Sequence, residues 1–499
     1  MGQELKGGTM RIAASAWYEL YSPEKCAKRV RLIAAGEQGA EAGPYERVLE
    51  ELGRRHELDY LATLEPAFRI EGHTDEERQA ATLKAIQASA QVIYQPFFKT
   101  QLSVEGESVE LVGNPDFLVR TDHGYVVRDA KLARHTSRDE KPEIHYQLQA
   151  YAYLLEAVAE RTPAALEVYD GLRLIQTVEY EGPQAFLTAL GQLVRLRRSP
   201  MDTYEPNGWS KCLACPFKGT CWAAAEARRD VSLVYGVSQE MAKSLQEAHI
   251  ATISDLAGMD ERELSRMPYR WGQQIRTIKN AAGSLIRAAK ALEGNREIPI
   301  LPPEFPQSAN YVSFDLEGLP PGYEVDERIY LWGIQVFGAN PGPYQGITSD
   351  FGEDGDRNGW MKFLEAMSTV FDQHGDIPLI VYSSYEATHV RLYLRRFGDW
   401  NGVGERVLRN IWDMLPAVKK AVALPLYSYS LKQVELHVGF ERSQDEFGGS
   451  WSVAQYIKAI ETRDPTLRDS IVDEILTYNR EDLAATWAVF GWLREIPQN

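Results

Sequence analysis

Between Gly113 and His135 the chain reads GNPDFLVRTDHGYVVRDAKLARH, which holds Asp116 after a proline and then Asp129 and Lys131 two positions apart. Residues 116–120 and 125–129 are rich in Val, Leu, Tyr and Phe, and TDHG supplies turn residues between them, so a two-stranded hairpin is predicted. Alternate residues of a strand share a face, which points Asp129 and Lys131 the same way. A carboxylate and an ammonium so placed form either an exposed ion pair or the charged wall of a catalytic pocket, and the D-x-K spacing alone does not choose.

A second set is made of sulfur. Cys212, Cys215 and Cys221 lie in KCLACPFKGTC, and Cys26 stands far upstream. In a cytoplasmic protein a C-x2-C pair points to metal rather than to disulfides. Zinc takes four thiolates in a tetrahedron, usually from two C-x2-C pairs. An iron–sulfur cluster also takes four thiolates and accepts a close trio with one distant partner, the arrangement found here. A 4Fe-4S cluster is the expected cofactor, zinc the alternative, and four reduced thiols the plain reading. Such a centre would tie residue 26 to residue 212 and close a whole domain.

The elements that must position these groups belong to a long chain. At 499 residues two to four domains are expected, and 44% hydrophobic with 25% charged residues describes an ordinary globular protein. No apolar run is fit to span a bilayer, and MGQELKGGTMRIAASAWYELYSP lacks a basic start followed by an apolar core, so a cytoplasmic protein without a membrane partner is expected. The net charge of −17 argues against a general electrostatic grip on nucleic acid. It leaves room for a local basic channel, and acidic clusters that hold cations themselves add negative charge.

ELGRRHELDYLATLE predicts an amphipathic helix carrying His56, and EIHYQLQAYAYLLEAVAE a helix with Gln147 and Tyr151 at i and i+4. The order His56, Asp116, Asp129, Lys131, Gln147, Tyr151 gives a helix histidine, a P-D, a D-x-K and a Q-x3-Y helix. Residues 10–225 thereby resemble the RecB-type branch of the PD-(D/E)xK nuclease superfamily, and the four cysteines resemble the staple of its iron–sulfur members. The resemblance implies a Mg2+ or Mn2+ site built from Asp116, Asp129 and His56, with the Ala130 carbonyl as a further oxygen ligand. Lys131 would orient or deprotonate the attacking water. Gln147 and Tyr151 would support substrate or lysine, or simply pack a helix face on the sheet.

From residue 226, VYGVSQEMAKSLQEAHIATISDLAGMDERELSRMP alternates short helices with tight turns and resembles helix-hairpin-helix modules. Gly236 fits one turn, His249 stands where a glycine is usual at the next, and MPYRWGQQ lacks the G-x-G hairpin, so the module reads equally as DNA contact or as spacer. GNREIPILPPEFPQSA is proline-rich and predicts a linker.

Further on, YVSFDLEGLP predicts a strand with Asp315 and Glu317 on one face, and IYLWGIQVFG its hairpin partner. A carboxylate pair ending an apolar run is costly unless it binds cations. IPLIVYSSYEATHVRLYLRRFG predicts a buried strand, a turn carrying Glu386 and a helix; NIWDML brings Asp413 to a strand end or helix start; ILTYNREDLAATWAVFGWL is a long helix with Tyr478 and Asp482 at i and i+4. Strands followed by alternating strands and helices suit an RNase H-like fold. This half resembles the tyrosine variant of the DEDD exonuclease superfamily: Asp315 and Glu317 match the first motif, Glu386 sits where the second normally has Asp, and Asp482 matches the last. The resemblance implies that these four hold two divalent ions while Tyr478 positions water. Asp413 is an alternative ligand or a helix cap.

The expected fold class is α/β multidomain: a restriction-endonuclease-like PD-(D/E)xK domain over 1–225, a small helix-hairpin-helix-like domain over 226–295, a linker over 296–309 and an RNase H-like domain over 310–499. The order resembles a bacterial and archaeal family that joins the two nuclease types, sometimes continuing into a superfamily 1 helicase. No G-x4-G-K-[ST] occurs, so no ATP motor is expected here. The expected activity is a metal-dependent DNA nuclease acting on single strands or ends. Two other readings stay open: a DNA-binding or scaffold subunit of a helicase, repair or defence complex with one or both sites inactive, and an RNA-processing nuclease.

Overall fold

The computed structural model describes residues 9–319, 327–350, 352–444 and 448–496. The hairpin forms as strands Phe117–Thr121 and Gly124–Ala130, paired antiparallel. It lies at the centre of a six-stranded sheet ordered Phe68–Arg69, Val92–Tyr94, Phe117–Thr121, Gly124–Ala130, Ala165–Tyr169, Ile175–Val178. Gly124–Ala130 has a parallel neighbour in Ala165–Tyr169, and residues Tyr125 to Asp129 are buried in unbroken succession, as befits a strand covered on both faces. Met10–Ala13, Glu107–Gly113 and Phe98–Val104 make a second sheet of three strands. Helix Pro142–Ala159 packs on strands of both sheets and buries Ile144, Leu148, Ala152 and Leu155, a spacing of four and three residues that keeps one apolar stripe inward.

Helices Gln239–Glu247, Ile253–Ala257, Glu261–Arg266 and Ala282–Gly294 share a separate apolar core. Gly236 has φ +92° and His249 φ +63°, so the histidine adopts the left-handed backbone that a glycine would take more cheaply. MPYRWGQQ belongs to a β-hairpin of Pro268–Trp271 and Gln274–Thr277 turning at Gly272, which the helical pattern does not foretell. The linker is not free along its length: Ile298–Pro299 pairs antiparallel with Val422–Ala423. Local composition cannot show a two-residue ladder with a partner so distant in sequence.

The C-terminal sheet runs Gln345–Thr348, Arg328–Gly338, Asn310–Leu319, Leu379–Val381, Ile411–Asp413, its first three strands antiparallel and its last two joined in parallel. Along Asn310–Leu319 the alternation is clean. Val312, Phe314 and Leu316 face a core shared with helices Gly352–His374 and Tyr385–Phe397. Ser313 and Asp315 turn to helix Pro465–Glu495, bonding the Leu483 carbonyl and Asn479 respectively. Glu386 stands in the first turn of its helix rather than in the turn before it. Helix Gly449–Glu461 packs on Pro465–Glu495 and also on Pro44–Leu64, where Tyr45, Val48 and Leu52 meet Val453 and Ile457 and Arg55 pairs with Glu461 at 2.5 Å. Among the described residues, no helix is long and apolar enough to cross a membrane.

Candidate functional sites

Asp116, Asp129 and Lys131 converge. Asp129 is 1% exposed on an inner strand; its Oδ1 accepts from the Asp116 main-chain N at 2.9 Å and its Oδ2 takes Lys131 Nζ at 2.9 Å. Asp116 Oδ2 in turn accepts from Ala130 N at 2.8 Å, so each aspartate braces the backbone that carries the other. Burial, reinforced by the charge of Asp129, holds the Asp116 carboxyl well above the usual carboxylate range. For Lys131 burial pulls the ammonium down, but Asp129, Tyr18 and Asp116 outweigh it and leave it raised. It is therefore a charged donor at neutral pH.

His56 reaches the strand beside this cluster through Tyr169. Its Nε2 lies 3.3 Å from the Tyr169 carbonyl, which also accepts from Lys131 N at 2.9 Å, and its ring stacks on Tyr169 at 4.9 Å. It does not close up on the two aspartates: among the described residues, the group of three His, Cys, Asp or Glu whose ligand atoms all lie within 4.8 Å is Asp315, Glu317 and Asp482. Its neighbour Glu57, to which no role was assigned from sequence, accepts from Tyr94 Oη at 2.8 Å and Gln95 Nε2 at 3.0 Å and adds to the rise at Asp116. Gln147 Nε2 donates to Tyr151 Oη at 2.8 Å, and Tyr151 Oη donates to the Asn114 carbonyl at 3.1 Å, which fixes the turn just before Pro115 and Asp116.

The four cysteines form no disulfide. Cys26 caps helix Ala27–Ala34, Cys212 ends Trp209–Cys212 and Cys221 lies in Lys218–Ala227. Burial pushes the thiols of Cys212 and Cys221 up, with smaller contributions from Cys26 and Cys215. Gly208 N lies 3.5 Å from Cys212 Sγ and Arg29 Nη1 4.0 Å from Cys215 Sγ.

In the C-terminal half Asp315, Glu317 and Asp482 form the compact trio. Burial first, then Asp482, Glu317 and Glu386, hold Asp315 well above the carboxylate range. Burial and Asp482 push Glu317 up to about 8. Asn479 Nδ2 donates to Asp315 Oδ2 at 2.8 Å, and Tyr330 Oη to Glu317 Oε2 at 3.4 Å. Glu386 stands apart from the trio, pushed up to about 7 by burial with a contribution from Asp413. Asp413 caps helix Met414–Ala421, its Oδ1 accepting from Leu415 N at 3.0 Å. Tyr478 is buried with its hydroxyl raised by burial and the charges of Glu317, Asp482 and Asp315. Asp482 already has cationic partners: Lys432 Nζ at 2.7 Å and Arg442, which also grips Glu435 through Nε at 2.7 Å and Nη2 at 2.8 Å. Neither cation stands out in the sequence, because a lone lysine on a short helix and a lone arginine in a connecting segment carry no distinguishing pattern.

Residues 15–222 match the model of the PD-(D/E)XK nuclease superfamily and residues 312–494 that of the RNase H superfamily. No curated protein matches the chain. A solved structure titled "Crystal structure of SSO0001" is similar at 17% identity and a TM-score of 0.23, covering 44% of this chain and 89% of that one, a likeness too weak to bear on either site. The protein is a mixed α/β multidomain chain whose first half is similar to the PD-(D/E)XK nuclease superfamily and whose second half is similar to the RNase H superfamily.

Proposed function

We propose that this chain is a divalent-metal-dependent DNA nuclease whose principal cutting site is formed by Asp116, Asp129 and Lys131. The observation that carries the reading is the buried Asp129 carboxylate, shared between Lys131 Nζ and the backbone of Asp116. The donor set fits a hard cation, since carboxylate oxygens beside main-chain carbonyls are what Mg2+ and Mn2+ prefer. When bound, such an ion would activate water and neutralise phosphate charge. Asp116 and Asp129 would hold it, and His56 would be a further ligand only after a change of side-chain position. Lys131, held protonated, serves as a donor that orients water and offsets charge developing on the phosphate rather than as a free base. Gln147 and Tyr151 keep the Asn114–Asp116 turn in place.

For the four cysteines the reading is a 4Fe-4S cluster rather than zinc, because a close trio with one distant partner is an arrangement a cluster accepts, whereas structural zinc usually draws on two C-x2-C pairs. A brown preparation with visible absorbance supports this; a colourless one containing zinc rejects it.

One observation favours a subordinate role for the RNase H-like site. Asp482 is bound by Lys432 and Arg442, and Glu386 stands outside the trio, so any cation there competes with the protein's own. Labelled single- and double-stranded DNA and RNA, incubated with Mn2+ or Mg2+, test the whole reading. Lys131→Ala is expected to lower DNA cleavage by about 100-fold or more, and Asp315→Ala to spare most of it. Wild-type activity in both variants would reject these assignments.

A further inference from the structure

Away from both acidic sites, three parts of the chain meet around a groove of about 580 Å³. The cysteine segment contributes Trp209, Lys211 and Trp222, the helical module Tyr235 and Trp271, and the C-terminal half Tyr427. The rings form a chain: Trp209 and Trp222 meet edge-on at 5.6 Å, and Trp222 and Tyr427 at 6.2 Å. Two of the rings carry cations, Lys218 Nζ standing 5.4 Å from the Trp209 ring and the Arg276 guanidinium 5.1 Å from the Trp271 ring. Trp271 is 44% exposed, so its ring face is open to a ligand.

The charge pattern selects an occupant. In a chain with 71 acidic against 54 basic residues, none of the described residues lining the groove is acidic. Glu226 lies near enough to raise the Tyr427 hydroxyl but is outside the lining. The exposed Trp271 indole and the half-buried rings of Trp209 and Trp222, with Lys211 in the lining and Lys218 and Arg276 against two of the rings, supply what a flexible polyanion with flat bases requires: rings to stack on and cations along the backbone.

We propose that this groove binds single-stranded nucleic acid by stacking bases on Trp271 and Tyr427, with Lys211 and Arg276 against phosphates. This rests on the nuclease reading and adds to it a path for the strand alongside the cysteine segment. The test uses the full-length protein in EDTA, so that nothing is cut, and fluorescence anisotropy of labelled (dT)20, (U)20 and a 20-base-pair DNA duplex. Trp271→Ala and Lys211→Glu are each expected to weaken binding of (dT)20 about tenfold, with little effect on the duplex, and Trp271→Phe to retain most of it. A matching loss on (U)20 places RNA in the same groove and supports the stacking mode equally. Unchanged (dT)20 affinity in both loss variants, with the wild type binding, overturns the groove and leaves the nuclease reading intact. A wild type that binds none of the three overturns the groove, while the nuclease reading stands or falls on the cleavage assay with Mn2+ or Mg2+.

Discussion

Lys432 Nζ stands 2.7 Å from Asp482 Oδ1 and 4.5 Å from the centre of the Tyr478 ring, an ammonium placed inside the very carboxylate cluster that would receive a metal ion. It partly neutralises the trio and occupies one of its oxygens. Lys432→Met keeps most of the volume and removes the competitor. Mn2+ binding at this site, read by EPR titration in an Asp116→Asn background, is expected to tighten about tenfold, or about 1.4 kcal/mol. Weaker binding in the variant would show that Lys432 assists the ion instead of opposing it.

The pH dependence of the metal-free protein follows from Glu317, which burial and Asp482 raise from 4.5 to about 8. Between those values the folded chain keeps a proton that the unfolded chain has lost. Stability from this group is thus fully present below pH 4.5 and lost as pH rises through about 8, at a slope of at most about 1.4 kcal/mol per pH unit. Urea unfolding in EDTA at pH 5, 6.5 and 8 should show this decline, and Glu317→Gln should flatten it. A wild type whose stability rises over that range contradicts the buried trio.

Gly333 lies directly across from Asp315 in the antiparallel ladder, and a Cβ there would stand 1.8 Å from Asn479 Oδ1. The residue is glycine because the amide that holds Asp315 passes over its Cα. Gly333→Ala is expected to push Asn479 off Asp315 and weaken Mn2+ binding in the C-terminal half several-fold without altering a carboxylate. The same titration measures it, and unchanged affinity would remove Asn479 from the support of that site.

Much of this architecture is readable without coordinates. The D-x-K hairpin, the histidine helix and the strand carrying Asp315 and Glu317 appear near their expected positions because period-2 and i,i+4 patterns are local. The family matches at 15–222 and 312–494 agree with that reading of the two halves. What sequence did not show depends on distant partners. Lys432 and Arg442 become significant only when their elements fold against Asp482. The Trp271 hairpin has four-residue strands, too short to stand out from the helices around it. Helix Gly449–Glu461 gains its meaning by touching both halves at once.

That bridge makes a prediction of its own. Ser452 on this helix is within 2.7 Å of Tyr330 Oη, which reaches Glu317, while Val453 and Ile457 pack with Val48 and Leu52 from the helix that carries His56. The helix is therefore packed at once against supports of the acidic trio and against the first domain. Ile457 is 3% exposed, so Ile457→Ala deletes buried methylenes and should cost about 2–4 kcal/mol, part of it local to this contact. Hydrogen exchange followed by mass spectrometry is expected to show faster exchange in both 44–64 and 449–461. Loss of protection confined to 449–461 would mean that the first domain's helix is held by its own core, and that the two sites do not share a mechanical support.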